Sequence, residues 1–136
     1  MATPSAEHVT HAGYCHCKAV LFEFDAPADL VAFDCNCSIC AMKRNVHTIV
    51  PAAHFRLVAG ADVLTTYTFN THTAKHKFCR ICGVVPFYIP RSNPDGVAIT
   101  IACIAPGTVG HVDVQTYDGQ NWESSYTASG IAKYSS

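Results

Sequence analysis

From His11 onward the chain breaks into short runs of β-branched and aromatic residues, several alternating apolar with polar, each closed by Gly, Pro or a polar turn. Residues 20–24 stop at Asp25-Ala26-Pro27, and residues 30–33 lead straight into Asp34 and Cys35. Further strands are predicted over 47–50, ending at Pro51, over 55–58, ending near Gly60, and over 64–69, which is rich in Thr and aromatic side chains. Residues 75–78 and 86–89 flank a Cys-x-x-Cys pair. The most apolar run, 97–102, has the character of a central strand, and 111–117 alternates cleanly. Helical signals are confined to single turns at 38–43, 51–54 and 121–125. Residues 1–10 read as a flexible, frayed N-terminus and 11–136 as one domain, with no repeat and no linker. Many short strands with this punctuation predict a mainly β domain.

Composition narrows the function classes. Hydrophobic residues make up 49% and charged residues 14% of 136, which is a globular chain and not a disordered one. Nine basic and ten acidic side chains give a formal net charge of -1, and Lys43, Arg44, Lys75, Lys77 and Arg80 are too few to form a nucleic-acid footprint. No nucleic-acid partner is therefore expected. No apolar run approaches a membrane span, and residues 1–11 lack the apolar core of a signal peptide. The expected location is the cytoplasm, a reducing compartment, with the nucleus left open. There eight cysteines read as metal ligands or catalytic thiols more readily than as disulfides. A homo-oligomer is left open.

The cysteines fall into groups. Cys15-x-Cys17 and Cys79-x-x-Cys82-Gly83 are two ligand pairs far apart in sequence, the second with the Gly that a tight metal-binding knuckle uses. Four thiols close a tetrahedral zinc shell, so these pairs are candidates for a structural ion whose binding energy is part of the folding energy. The alternatives are four ordinary buried thiols, or a redox Cys-x-x-Cys, which would need a βαβ setting that the pattern lacks.

Between them lies Cys35-Asn36-Cys37-Ser38-Ile39-Cys40, three thiols within six residues. Three thiolates can wrap one metal and leave a fourth position exchangeable, as catalytic zinc sites do. Charge decides what such a centre suits. Three thiolates on Zn²⁺ leave it net negative, a poor maker of hydroxide but suited to holding an incoming thiol as a nucleophilic thiolate. The alternative is a closed, inert site, with Cys103, His47, His72 or His76 supplying the fourth ligand.

Gly13-Tyr14-Cys15-His16-Cys17, Cys35 to Cys40 and Phe78-Cys79-Arg80-Ile81-Cys82-Gly83 together resemble the glutathione-dependent formaldehyde-activating enzyme family, which includes the centromere protein V-like proteins. Thr65-Thr66-Tyr67-Thr68-Phe69-Asn70-Thr71 and the loop Pro90-Arg91-Ser92-Asn93-Pro94-Asp95-Gly96 are similar to the centromere protein V branch, and the likeness runs over residues 11–109. The resemblance implies a mainly β, Mss4-like fold of short antiparallel strands stapled by zinc. It implies two zinc ions per chain, a structural one on Cys15, Cys17, Cys79 and Cys82 and a catalytic one on Cys35, Cys37 and Cys40. It also implies a carbon–sulfur lyase run in reverse, condensing glutathione with formaldehyde to S-hydroxymethylglutathione. A non-catalytic, zinc-stabilised binding module of the centromere protein V type is the alternative. For the chemistry, a general acid must protonate the alkoxide, and His47 and His72 are candidates. Arg91 and Asn93 could bind a carboxylate of the thiol substrate, or form a plain turn. Tyr67, Phe69, Phe87 and Tyr88 are expected to be core and sheet residues.

Overall fold

The computed structural model describes residues 7–69, 71–118, 121, 126–127 and 129–135. Strands β1 (His8–Tyr14), β2 (Leu21–Pro27) and β5 (Phe55–Ala59) form a three-stranded antiparallel sheet in the order β1-β2-β5. The others are β3 (Asp29–Cys35), β4 (Val46–Pro51), β6 (Leu64–Tyr67), β7 (Lys75–Cys79), β8 (Phe87–Ile89), β9 (Gly96–Thr100) and β10 (His111–Tyr117). They form a seven-stranded sheet in the order β10-β3-β4-β9-β8-β7-β6. The helix α1 (Ser38–Lys43) follows β3, and 3₁₀ turns cover Ala52–His54, Ala61–Val63, Ile101–Cys103 and Ile131–Ser135. Among the described residues no helix is long and apolar enough to cross a membrane.

The mainly β expectation holds, with local differences. β10 runs parallel to β3, against an all-antiparallel reading. The chain leaves β9 in the middle of the sheet and reaches the far edge by a long crossover, and such a connection permits parallel pairing where a hairpin does not. Pairing also begins at His8 and not at His11, because His8, Val9 and Thr10 face Pro27, Ala26 and Asp25. Thr10 Oγ1 donates to Asp25 Oδ1 at 2.9 Å, so polar side chains bind one another along this edge. The run 97–102 does form the middle strand, but it turns at Ile101 into a 3₁₀ turn. Most of the turn expected at 121–125 lies outside the described residues.

Side-chain parity on the large sheet organises the molecule. Val50, Val97, Ile99, Phe87 and Leu30 pack with Phe22, Phe24 and Ala26 of the small sheet. Their neighbours Ile49, Ala98, Tyr88 and Phe33 point the other way, into a second cluster with Cys35, Cys40, Tyr117 and Ile131. β4 and β9 are buried on both faces, which explains why apolar residues occupy successive positions at 49–50 and 97–99. Each buried Phe, Ile or Val stabilises the fold by about 1.5–3 kcal/mol. The second face is closed by the C-terminal turn. There Nδ2 of the fully buried Asn93 faces the carbonyls of Ile131 and Ala132, each at 3.1 Å, and Ser135 Oγ at 2.8 Å, three acceptors for its two hydrogens.

Candidate active site

The two thiol groups lie on opposite sides of the large sheet. Cys15, Cys17, Cys79 and Cys82 bring their sulfurs within 4.8 Å of one another. Two loops of matching form present them. Cys15 N–H donates to Val20 O and Cys79 N–H to Val84 O, each closing the chain around its thiols. The left-handed residue is Gly83 (φ 77) in one loop and Lys18 (φ 65) in the other, so only one of the two turns shows the glycine that marks a knuckle. Cys17 Sγ is 3.6 Å from both Cys15 Sγ and Cys79 Sγ. A Zn–S distance of about 2.3 Å makes the edge of a tetrahedron about 3.8 Å, so these sulfurs sit at zinc spacing and well beyond disulfide length. All eight cysteines are free thiols.

The second group is Cys35, Cys37 and Cys40, again with sulfurs mutually within 4.8 Å. Cys35 ends β3 and Cys40 sits in α1, both buried, while Cys37 is the residue before the helix and half-buried. Among the described residues no His, Cys, Asp or Glu joins the three within that distance. The thiols share charge unevenly. Hydrogen bonds from the Cys35 and Cys40 thiols, with the amides of Cys40 and Ile39, hold Cys37 far below the ordinary thiol range. The same sharing with Cys37 pushes Cys35 up to about 11, and sharing with Cys35 and Cys37 pushes Cys40 higher still. A dication is the partner that would release the remaining protons, and the donor set fits zinc. Lys43, half-buried at the end of α1, is lowered by burial while Cys40 and Cys37 pull its charge back.

A cavity of about 190 Å³ opens against this trio, lined by residues of β3, α1, β4, β7, β8 and the C-terminal turn. Register aligns part of its wall: Tyr88 and His76 face one another across β8 and β7, in a row that continues to Ala98 and Ile49 on one side and to Tyr67 on the other. Tyr88 is the hub. Its hydroxyl is 3.7 Å from Cys40 Sγ and 3.2 Å from His47 Nε2, and its ring stacks on His76 at 4.6 Å. Burial first, then the Cys40 charge, keeps the phenol protonated well above its ordinary range. Burial likewise lowers both His47 and His76 to about 4, with Cys37 opposing the shift in each case. Both rings are neutral at pH 7.

The residues expected from sequence divide accordingly. The cavity gathers Cys35, Cys37, Cys40, His47 and Arg91. His72 is not brought there: it is exposed, with Nδ1 2.8 Å from Thr68 Oγ1 in the loop after β6. Asn93 does not line the cavity either, since its carboxamide is engaged by Ser92 and the C-terminal turn. Cys103 does not close the trio, because it packs in the other half of the core, feeling Cys15 and Cys82, with Sγ 3.9 Å from Val85 O. His76 lines the cavity as a ring and not as a fourth ligand. Phe87 is core and Tyr67 is about half exposed, but Tyr88 and Phe69 are cavity walls, which the sequence reading missed. The available signal was chemical: a tyrosine in a strand that short, if buried, needs a partner for its hydroxyl.

A family model described as glutathione-dependent formaldehyde-activating enzyme matches residues 10–121. That span holds all eight cysteines together with His47, His76 and Tyr88, and stops before the C-terminal turn. Among solved structures the chain is similar to the crystal structure of a Rhodobacter sphaeroides protein, a structural genomics target. Identity is 35% and the TM-score 0.64, over 76% of this chain and 99% of that one.

Proposed function

The chain belongs to the glutathione-dependent formaldehyde-activating enzyme family, and on that premise we propose that it joins a small thiol, glutathione by the family's description, to a small aldehyde. The reaction is a carbon–sulfur lyase run in reverse. The observation that carries this reading is the contrast between the two thiol groups: four thiols form a complete ligand set away from the cavity, and three face it.

Zinc suits both sets by donor type and spacing, with Cys15, Cys17, Cys79 and Cys82 holding one ion and Cys35, Cys37 and Cys40 the other. Bound at the trio, the ion supplies positive charge that favours the ionised form of a thiol entering beside it. The chain's own groups do the rest. Phe33, Tyr88 and Ile39 exclude water around the carbonyl. The Tyr88 hydroxyl, with the neutral His47 ring behind it, holds a proton where the carbonyl oxygen develops charge. The carbon–sulfur bond forms as the carbonyl π bond opens, and the proton that left the thiol ends on that oxygen. Atoms and charge balance with no oxidant. Arg91 brings a cation to the cavity wall, where a substrate carboxylate would meet counter-charge.

The test combines zinc counting with exchange kinetics. Cys37→Ser is expected to stay folded with one zinc fewer per chain and to lose acceleration of glutathione–formaldehyde exchange measured by NMR. Cys79→Ser is expected to impair folding itself. If both substitutions unfold the chain alike and the parent protein accelerates nothing, the trio is structural and the binding-module alternative replaces this reading.

A further inference from the structure

Formaldehyde has two heavy atoms and needs little more room than one or two waters, about 30 Å³ each. The cavity is about 190 Å³. Glutathione brings two carboxylates and an ammonium, groups that need counter-charge or water. Among the described lining residues Arg91 is the one permanently charged side chain, so the ends of the tripeptide belong at the mouth.

What lines the interior is aromatic. Tyr67 and Phe69 stack at 5.7 Å, Phe69 and His76 at 5.8 Å, and His76 and Tyr88 at 4.6 Å. This ladder runs from an exposed ring on the edge strand β6 to the hydroxyl that touches Cys40. Phe33, Ile39 and Ile131 complete an apolar enclosure. The rings cover one another's faces and present their edges to the cavity, a surface that recognises a flat apolar group by area and edge-to-face contact.

We propose that the carbonyl partner of this site is an apolar aldehyde bearing a planar, aromatic substituent, seated against Phe69 and His76 with its carbonyl carbon toward the trio. This rests on the thiol-plus-aldehyde reading and specifies its substrate class. The thiol S–H adds across the C=O: carbon–sulfur and O–H bonds form, the S–H and carbonyl π bonds break, and a hemithioacetal results without a redox partner. Phe69 is half-buried in the loop after β6, so its truncation does not empty the core.

The test has a binding arm and a kinetic arm, on the full chain with zinc. Calorimetric titration compares S-benzylglutathione with S-methylglutathione, stable stand-ins for the two adducts. The benzyl compound is expected to bind about tenfold tighter, about 1.4 kcal/mol, and Phe69→Ala to remove most of that difference. In NMR exchange with glutathione, Phe69→Ala is expected to lower the benzaldehyde-to-formaldehyde rate ratio about tenfold. Equal affinity for the two thioethers overturns the proposal. Acceleration with formaldehyde but not with benzaldehyde also overturns it, and leaves the thiol-plus-aldehyde function standing. Acceleration with neither aldehyde removes that function and this specificity together.

Discussion

Replacing Asn93 by alanine tests whether this residue clasps the C-terminal turn or meets a ligand. The side chain is fully buried, and its Nδ2 faces three acceptors while Oδ1 accepts from Ser92 Oγ at 2.8 Å. An amide nitrogen has two hydrogens, so two donated bonds and one accepted bond act at a time. Each is worth about 0.5–1.5 kcal/mol net. Ala132 and Lys133 are exposed, so water reaches part of the freed backbone, and the loss stays near the sum of the bonds. The expected cost is about 3 kcal/mol, in a domain whose total stability is about 5–15 kcal/mol. For this chain length the melting temperature should fall by about 10 °C. Urea unfolding at fixed excess zinc should show a lower midpoint with an unchanged slope. Hydrogen exchange at Lys133, whose amide donates to Gly130 O at 3.2 Å, should speed up in the native state. A variant within about 0.5 kcal/mol of the parent would refute the clasp. If that variant had also lost thioether binding, Asn93 would be a ligand contact after all.

Two further expectations concern pH. Hydrogen bonds from Arg56, at 2.9 and 3.0 Å, and then from Thr10 hold Asp25 well below the ordinary carboxylate range. A depressed carboxylate adds stability above its unfolded pKa of about 3.9 and loses it as pH falls through the folded value. Arg56→Gln should therefore lower the urea midpoint at neutral pH and low salt, less so in about 1 M salt, and not at all in strong acid; an equal loss at both pH extremes would contradict the pairing. His47 shifts stability in the same direction, over a higher pH window. Its folded form takes a proton only near 4, whereas the unfolded chain does so near 6.5, so stability should decline as pH drops between these values. Ring resonances of His47 should report a neutral imidazole at pH 6; a titration midpoint above that would sink the account of its burial.

Much of the molecule was set locally. Strand positions follow from alternation, since side chains on a strand change face at every residue. The two thiol groups also follow from spacing, because Cys35 to Cys40 and the two knuckles each close within a few residues through their own backbone bonds. What spacing could not decide is which residues meet across the sheet. Cys103 was a candidate for the trio until the bridge from Gly13 to Ile104 drew it to the β1 side, in the half of the core that holds the four thiols. Tyr88 became the hub of the cavity only through the register that sets His76 and Ala98 opposite it. His72 and His76 are four residues apart, yet one is exposed in a loop and the other buried in a strand. These outcomes depend on strand order and register, which come from contacts between distant segments. The three thiols could be grouped from sequence alone, but what stands around them was decided when the two sheets packed.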